Sequence, residues 1–131
     1  MANQVNVKWN NKHEGSIKVE NFETQLSYKG DGLAPYEMFL GGFASCLHAT
    51  FVGIAKKKRL EFEDVSYHVY GEKRDEVPTL LKYVKTTITF KGVEEKKQNA
   101  IIKSMELAEK YCSISVTISK IADMEFIYNF E

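Results

Sequence analysis

The feature of this chain that most constrains its fold is a stretch without charged residues between Glu37 and Lys56. Apolar residues recur in it at steps of three and four: Leu40, Phe43, Leu47, Phe51 and Ile54. This spacing predicts a helix, and further apolar residues at 39, 49, 52 and 55 make it apolar on nearly every side. Pro35 suits its first turn. We therefore expect a long helix at the centre of the fold.

The same helix raises the question of a membrane span, because residues 38–55 reach the lower limit of length for one. Three polar side chains and three glycines interrupt the stretch, and both flanks have the pattern of amphipathic strands. A stretch this short is more typical of a buried core helix than of a span. We expect a soluble protein without a membrane partner.

Length and composition favour one ordinary globular domain over residues 1–131, because 131 residues with 44% hydrophobic content are enough for a core. The formal net charge is zero, with lysines spread among acids, which gives no basic surface for nucleic acid. The N-terminal residues lack the pattern of a signal peptide. These observations predict a cytoplasmic protein that binds neither nucleic acid nor membranes.

Alternating apolar residues predict three N-terminal strands within residues 4–28, and further strands near 65–69, 84–90 and 124–130. Glu94 and Glu95 are expected to open a second helix. Residues 112–119 are ambiguous, because they alternate like a strand but are few and directly follow that helix. Strands grouped around two helices indicate an α+β fold. One sheet covers only one face of an apolar helix, so we expect a second copy to cover the rest, as a homodimer.

Few residues have spacing that suits catalysis. The three histidines are far apart and no CxxC or HxxxH motif is present, so we expect no metal site. Ser45 lacks the strand–turn–helix setting of a serine nucleophile, and His48 in an apolar helix is more often a hydrogen-bonded core residue than a base. Cys46 and Cys112 remain, either as buried fillers or as reactive thiols.

Three motifs then provide a family resemblance: PYEMFLGGFASCL at 35–47, RDEVPTLL at 74–81 and EKYCSIS at 109–115. Together they resemble the OsmC/Ohr family, in particular its YhfA-like branch, over nearly the whole chain. The resemblance implies an α+β, OsmC/Ohr-like fold with antiparallel sheets around a long buried central helix. It also implies an intertwined homodimer.

The resemblance further implies an oxidoreductase, a thiol-dependent peroxidase that reduces organic hydroperoxides in the response to peroxide or oxidative stress. Cys46 would be the peroxidatic thiol and Cys112 the resolving thiol. Such an enzyme needs no cofactor, and an external dithiol reductant would restore the cysteine pair. The alternative is a non-catalytic OsmC-related protein that binds a small hydrophobic or thiol-bearing ligand at the dimer interface.

Two family positions that act on the peroxidatic thiol differ in this chain. Peroxidase members have an arginine in the turn after the first strand, where this chain has Lys12 and His13. They have a glutamate directly after the helix-opening proline, where this chain has Tyr36, with Glu37 one place later. Lys12, His13 and Glu37 are therefore the candidate partners of Cys46, and without a planar guanidinium the expected peroxidase activity is slow.

Overall fold

The computed structural model describes residues 2–131, so Met1 of the expected 1–131 domain lies outside the described residues. The chain divides into two compact units, Met1–Phe39 and Leu40–Glu131. Its elements in order are β1 (Asn6–Trp9), β2 (Glu14–Val19), β3 (Phe22–Ser27), α1 (Pro35–Lys57), β4 (Asp64–Lys73), β5 (Leu81–Lys91), a 3₁₀ turn (Glu95–Lys97), α2 (Gln98–Tyr111), α3 (Ser113–Ser119) and β6 (Asp123–Phe130).

The first unit contains the expected three-stranded meander, with strand order β1-β2-β3 and both pairs antiparallel. In its register Val7 lies opposite Ile17, and Ile17 opposite Thr24. The three strands that the alternation of apolar and polar residues predicted are therefore confirmed. Most of this sheet is exposed; its apolar residues that remain at least 40% exposed are Val7, Val19 and Phe22.

The second unit contains a separate three-stranded sheet, with strand order β4-β5-β6. β4 and β5 are antiparallel, but β5 and β6 are parallel, which differs from the antiparallel sheets that we expected. The reason lies in the connections. α2 and α3 separate β5 from β6 along the chain, and such a crossover returns the chain to the end of the sheet where β5 began.

The core of the second unit forms where one stripe of α1 meets the inner face of this sheet and α2. The stripe follows four-residue steps, as expected of one helix face. It consists of Phe43, Leu47, Phe51 and Ala55. The buried residues clustered with it include Val84, Ile88 and Phe90 of β5 and Ile101, Met105 and Ala108 of α2.

The rest of α1 is less buried than its sequence led us to expect. Only 22% of its most apolar stretch is buried, and a Cβ added at Gly41 or Gly42 would meet no atom within 4 Å apart from the nearby backbone of α1 itself. By length and composition α1 could cross a membrane, a test that core helices of soluble proteins also pass. Within one chain, burial is thus confined to one stripe.

Residues 112–119, which fitted either type of element, form α3 over Ser113–Ser119. Ile114 and Ile118 are four residues apart, a spacing that suits a helix as well as a strand, and Ile118 is fully buried. The second helix also begins later than expected, at Gln98 after the 3₁₀ turn. These short elements bring Cys112 to the junction between α2 and α3.

Candidate active site: a pair of unlike thiols

Cys46 lies in the middle of α1 and is partly exposed. Its own backbone carbonyl accepts a hydrogen bond from the Thr50 hydroxyl at 3.1 Å, one turn further along the helix. Its sulfur lies 3.9 Å from the Ser113 hydroxyl, within hydrogen-bonding distance for sulfur. Since α1 and α3 are far apart in sequence, packing within the second unit brings this thiol to the start of α3.

The start of α3 stabilises the anionic form of Cys46. A hydrogen bond from the backbone N–H of Ile114 is the main cause that lowers the pKa of Cys46, followed by one from the Cys112 thiol. Both groups of Ser113, hydroxyl and N–H, act in the same direction, and partial burial opposes them. Donors at a helix start favour a thiolate because no intrahelical acceptor uses them.

Cys112 is completely buried and occupies the N-cap position of α3. Its sulfur accepts a hydrogen bond from the backbone N–H of Ser115 at 3.4 Å. Burial nevertheless raises the pKa of Cys112, and its interaction with Cys46 adds to this rise while the Ser115 N–H opposes it. The pair therefore consists of a partly exposed thiol whose pKa is lowered and a buried thiol whose pKa is raised.

Both cysteines are free thiols and they interact directly. An electrophile can approach Cys46 from solvent, because this residue is partly exposed. Cys112, covered on all sides, can be reached through Cys46. This arrangement allows the accessible sulfur to react first and the buried sulfur to follow, which is the chemistry of a two-cysteine redox centre.

Glu37, one of the candidate partners of the thiol, lies in the first turn of α1 and belongs to the first unit. Its carboxylate accepts a hydrogen bond from the backbone N–H of Ala34 at 2.9 Å. An acidic side chain that binds a free N–H at a helix start also interacts favourably with the helix dipole. The observed contact of Glu37 is thus that of a capping residue.

Lys12 and His13 lie in the turn between β1 and β2, also in the first unit. The side-chain oxygen of Asn10 accepts hydrogen bonds from the N–H groups of Lys12 and Glu14 and so shapes the turn. His13 adopts a left-handed backbone conformation, with φ of 64°, and its ring meets Tyr28 edge-on. Both candidate cations are exposed side chains of a tight turn.

Two other titratable residues, His48 and Arg74, have ordinary structural partners. His48 Nδ1 lies 2.9 Å from the Tyr67 hydroxyl, and burial lowers the pKa of His48, so it is a hydrogen-bonded neutral residue. Arg74 donates to the Pro78 carbonyl and pairs with Glu76 across the bend after β4. Within residues 2–131, no three His, Cys, Asp or Glu side chains are grouped to bind a metal ion.

Sequence reasoning did not identify the donors that act on Cys46. The backbone N–H of Ile114 has no side-chain signature, and nothing in the sequence pattern marks Ser113 as a partner of Cys46. The spacing of Ile114 and Ile118 allowed a helix after Cys112 but also a strand. Only the helix places free N–H groups beside the thiol, so the sequence contained no decisive signal for these donors.

Comparison with known proteins adds the family relationship. A family model described as OsmC-like protein matches residues 28–126 of this chain. Protein YhfA of Escherichia coli K12 is 28% identical over 96 residues, which cover 72% of this chain and 71% of YhfA. Proteins of this family are soluble, which supports the interpretation of α1 as a core helix.

Solved structures share the fold over almost the whole chain. An OsmC-like protein from Mycoplasma pneumoniae superposes with a TM-score of 0.87 at 14% identity, covering 99% of this chain and 97% of that one. The organic hydroperoxide resistance protein OhrB of Bacillus subtilis gives a TM-score of 0.66 at 18% identity, covering 95% and 97%. At these identities the likeness extends to the fold alone.

Proposed function

Since this chain belongs to the OsmC family, we propose that it reduces organic hydroperoxides with Cys46 as the peroxidatic and Cys112 as the resolving thiol. The observation that carries the proposal is the opposite effect of the surroundings on the two thiols, which lowers the pKa of Cys46 and raises that of Cys112. Structural neighbours named organic hydroperoxide resistance proteins add support.

The reaction begins when the Cys46 thiolate attacks one peroxide oxygen and the O–O bond breaks. The organic alkoxide leaves and takes a proton to become the alcohol, while Cys46 becomes a sulfenic acid. The sulfur of Cys112 then attacks the sulfur of Cys46, a disulfide forms, and the hydroxyl group leaves as water. An external dithiol reduces the disulfide by two thiol exchanges and is itself oxidised, so no cofactor takes part.

We also propose that the active form is a homodimer in the cytoplasm and serves the peroxide stress response. The first unit exposes much of its apolar sheet, and α1 is buried along one stripe only. Exposed apolar area of this kind contributes about 25 cal/mol per Å² when a partner covers it. Light scattering at micromolar concentration should therefore give twice the mass of one chain.

The proposed activity is tested with cumene hydroperoxide and dithiothreitol. We expect slow turnover by the native protein, none by Cys46→Ser, and a single turnover by Cys112→Ser, which leaves a sulfenic acid that dimedone can trap. Ser45→Ala is the matched control, because the neighbouring Ser45 hydroxyl donates its hydrogen bond to the Gly41 carbonyl of its own helix. Complete inactivity of the fully reduced native protein would favour the non-catalytic ligand-binding alternative.

Lys12, His13 and Glu37 enter this proposal as candidate activators of the thiol. A cation near a thiolate stabilises it, so Lys12→Ala or His13→Ala should slow peroxide reduction if either side chain acts on Cys46. His13→Arg should speed the reaction, since arginine stays charged at all working pH values. Rates unchanged in all three variants would leave the α3 donors as the only activators.

A further inference from the structure

A cavity of about 450 Å³ opens in the second unit between α2, α3 and β6. We call it the α2–β6 cavity. None of its lining residues belongs to α1 or to the first unit, the two regions that we expect a second copy to cover. Its lining includes Glu106, Glu109 and Lys110 of α2, Ser115 of α3, and Met124 and Phe126 of β6.

Glu109 supplies the cavity with a carboxyl group that is half-buried. Burial raises the pKa of Glu109 to about 7, although the Tyr128 hydroxyl donates a hydrogen bond to it at 2.6 Å. The charge of Glu106, three residues earlier on the same helix face, raises this pKa further. Water stabilises an exposed ion, but it reaches this carboxylate poorly, so a cation in the cavity would favour the ionised form.

Ser115 supplies a second polar group, which differs from the other buried serine of these helices. Ser104 is fully buried and donates its hydrogen bond to the Ala100 carbonyl of its own helix. Ser115 is only 3% exposed, yet its hydroxyl has no hydrogen-bond partner among residues 2–131. Because nearly all buried hydroxyl groups are hydrogen-bonded, this one is available to a ligand that occupies the cavity.

The groups that line the cavity match a primary ammonium group on an apolar chain. Such a group has three N–H donors and no acceptor, and the two carboxylates and the Ser115 hydroxyl provide three acceptors. Met124 and Phe126 are half-buried and supply apolar surface beside them. Lys110, the basic residue of the lining, is exposed and can extend into solvent. Two acidic side chains against one basic side chain favour a cation over an anion.

From these observations we propose that the α2–β6 cavity binds a small primary alkylammonium ion. The ammonium group donates hydrogen bonds to Glu109, Ser115 and Glu106, and the alkyl chain lies on Met124 and Phe126. The proposal goes beyond the peroxidase, because binding involves no thiol. Inactivity of the peroxidase would leave this proposal intact, and absence of amine binding would leave the peroxidase proposal intact.

Nuclear magnetic resonance titration of the reduced full-length protein with hexylammonium tests the head group. At pH 7.5 the backbone amide signals of Ser115 and Phe126 should shift saturably, with a dissociation constant in the millimolar range. Hexanoate has the same chain length and the opposite charge, and hexan-1-ol has no charge. Both should bind at least about tenfold more weakly, because neither pairs with a carboxylate.

The pH dependence of binding tests the role of Glu109. The ionisable groups that face it are Glu106 and Lys110 on α2 and the Tyr128 hydroxyl on β6, and no lining residue of α3 is charged. Because the ammonium ion pairs with the ionised carboxylate, lowering the pH from 7.5 to 5.5 should weaken hexylammonium binding by about twentyfold. Hexylammonium itself stays charged throughout this range.

Two pairs of variants test the acceptors. Glu109→Gln, which can still accept the Tyr128 hydrogen bond, should weaken binding at pH 7.5 by about tenfold and remove most of its pH dependence. Its control, Glu95→Gln in the exposed 3₁₀ turn, should change binding less than about twofold. Ser115→Ala should weaken binding by about threefold or more, whereas Thr117→Ala, on α3 but outside the lining, should not. Circular dichroism confirms that each variant is folded.

Three results would overturn the assignment. Equal affinity for hexylammonium and hexanoate would remove the role of the carboxylates, as would an equal loss in Glu109→Gln and Glu95→Gln. Absence of saturable shifts at both pH values would show that the cavity holds only water. Binding of a lysine-rich peptide at Ser115 without binding of hexylammonium would replace the small amine by a basic protein segment.

Discussion

Cys46 lies in the middle of α1 and Cys112 at the junction between α2 and α3, and these two surroundings shift the pKa of the thiol in opposite directions. A residue in mid-helix has no free backbone N–H nearby in its own helix, yet Cys46 receives donors from α3 and its pKa is lowered. Cys112 caps that same α3 but is fully buried, and its pKa is raised. Proximity to a helix start thus favours a thiolate only where burial does not outweigh it.

The largest expected effect concerns alkylation of the two reduced thiols by iodoacetamide at pH 7.5. Cys46 should react at least about a hundredfold faster than Cys112, because it is accessible and forms more thiolate. Peptide mapping by mass spectrometry gives both rates. In guanidinium chloride the two rates should converge, and equal rates in the folded protein would contradict the comparison.

A smaller effect tests the direct contact between the two regions. In Cys112→Ala the thiol that donates to Cys46 is lost, so the pKa of Cys46 should rise and its alkylation at pH 7 should slow by roughly threefold. The midpoint of the pH–rate profile should move upward by the same change in pKa. Ser45→Ala should leave the profile in place, and a downward shift in Cys112→Ala would mean that Cys112 repels the thiolate.

The α2–α3 junction should also make stability depend on pH. Burial raises the pKa of Glu109 to about 7, and Tyr128 donates a hydrogen bond to it at 2.6 Å. Because the folded protein holds this proton more tightly than the unfolded chain, the stability it provides is complete below about pH 4.5 and is lost as pH rises to about 7.

The melting temperature should therefore fall by a few degrees between pH 5 and 8, and Glu109→Gln should remove much of this fall. Glu95→Gln, which changes an exposed carboxylate of the 3₁₀ turn, is the control. A melting temperature of Glu109→Gln that follows the native pH profile would show that Glu109 ionises normally in the folded state.

The smallest effect is expected for Ser113→Ala. The Ser113 hydroxyl lies 3.9 Å from the Cys46 sulfur, a long contact, and it contributes less to the lowered pKa than the Ile114 N–H does. Alkylation of Cys46 should slow by less than about twofold. If alkylation of Cys46 slowed tenfold in Ser113→Ala, a side chain, and not the backbone at the start of α3, would provide the main stabilisation of the thiolate.

Periodicity predicted the elements whose burial follows a regular spacing. α1 and the three N-terminal strands are such elements. In a helix every third or fourth side chain lies on the same face, and in a strand every second one does. The seven residues of α3 are too few for a period to be distinguished, and the parallel pairing of β6 depends on a long-range connection. The donors to Cys46 are backbone groups, so no residue type marks them in a sequence.

The parallel pairing of β5 with β6 sets an order of events while the chain is being synthesised. β4 and β5 can pair as soon as both have emerged, because they are neighbours in sequence. The other edge of β5 stays unpaired until α2 and α3 have been made and β6 follows, when Phe130 stacks on Phe90. Nascent chains are exposed to aggregation during this interval, which makes it the stage where a chaperone has most effect.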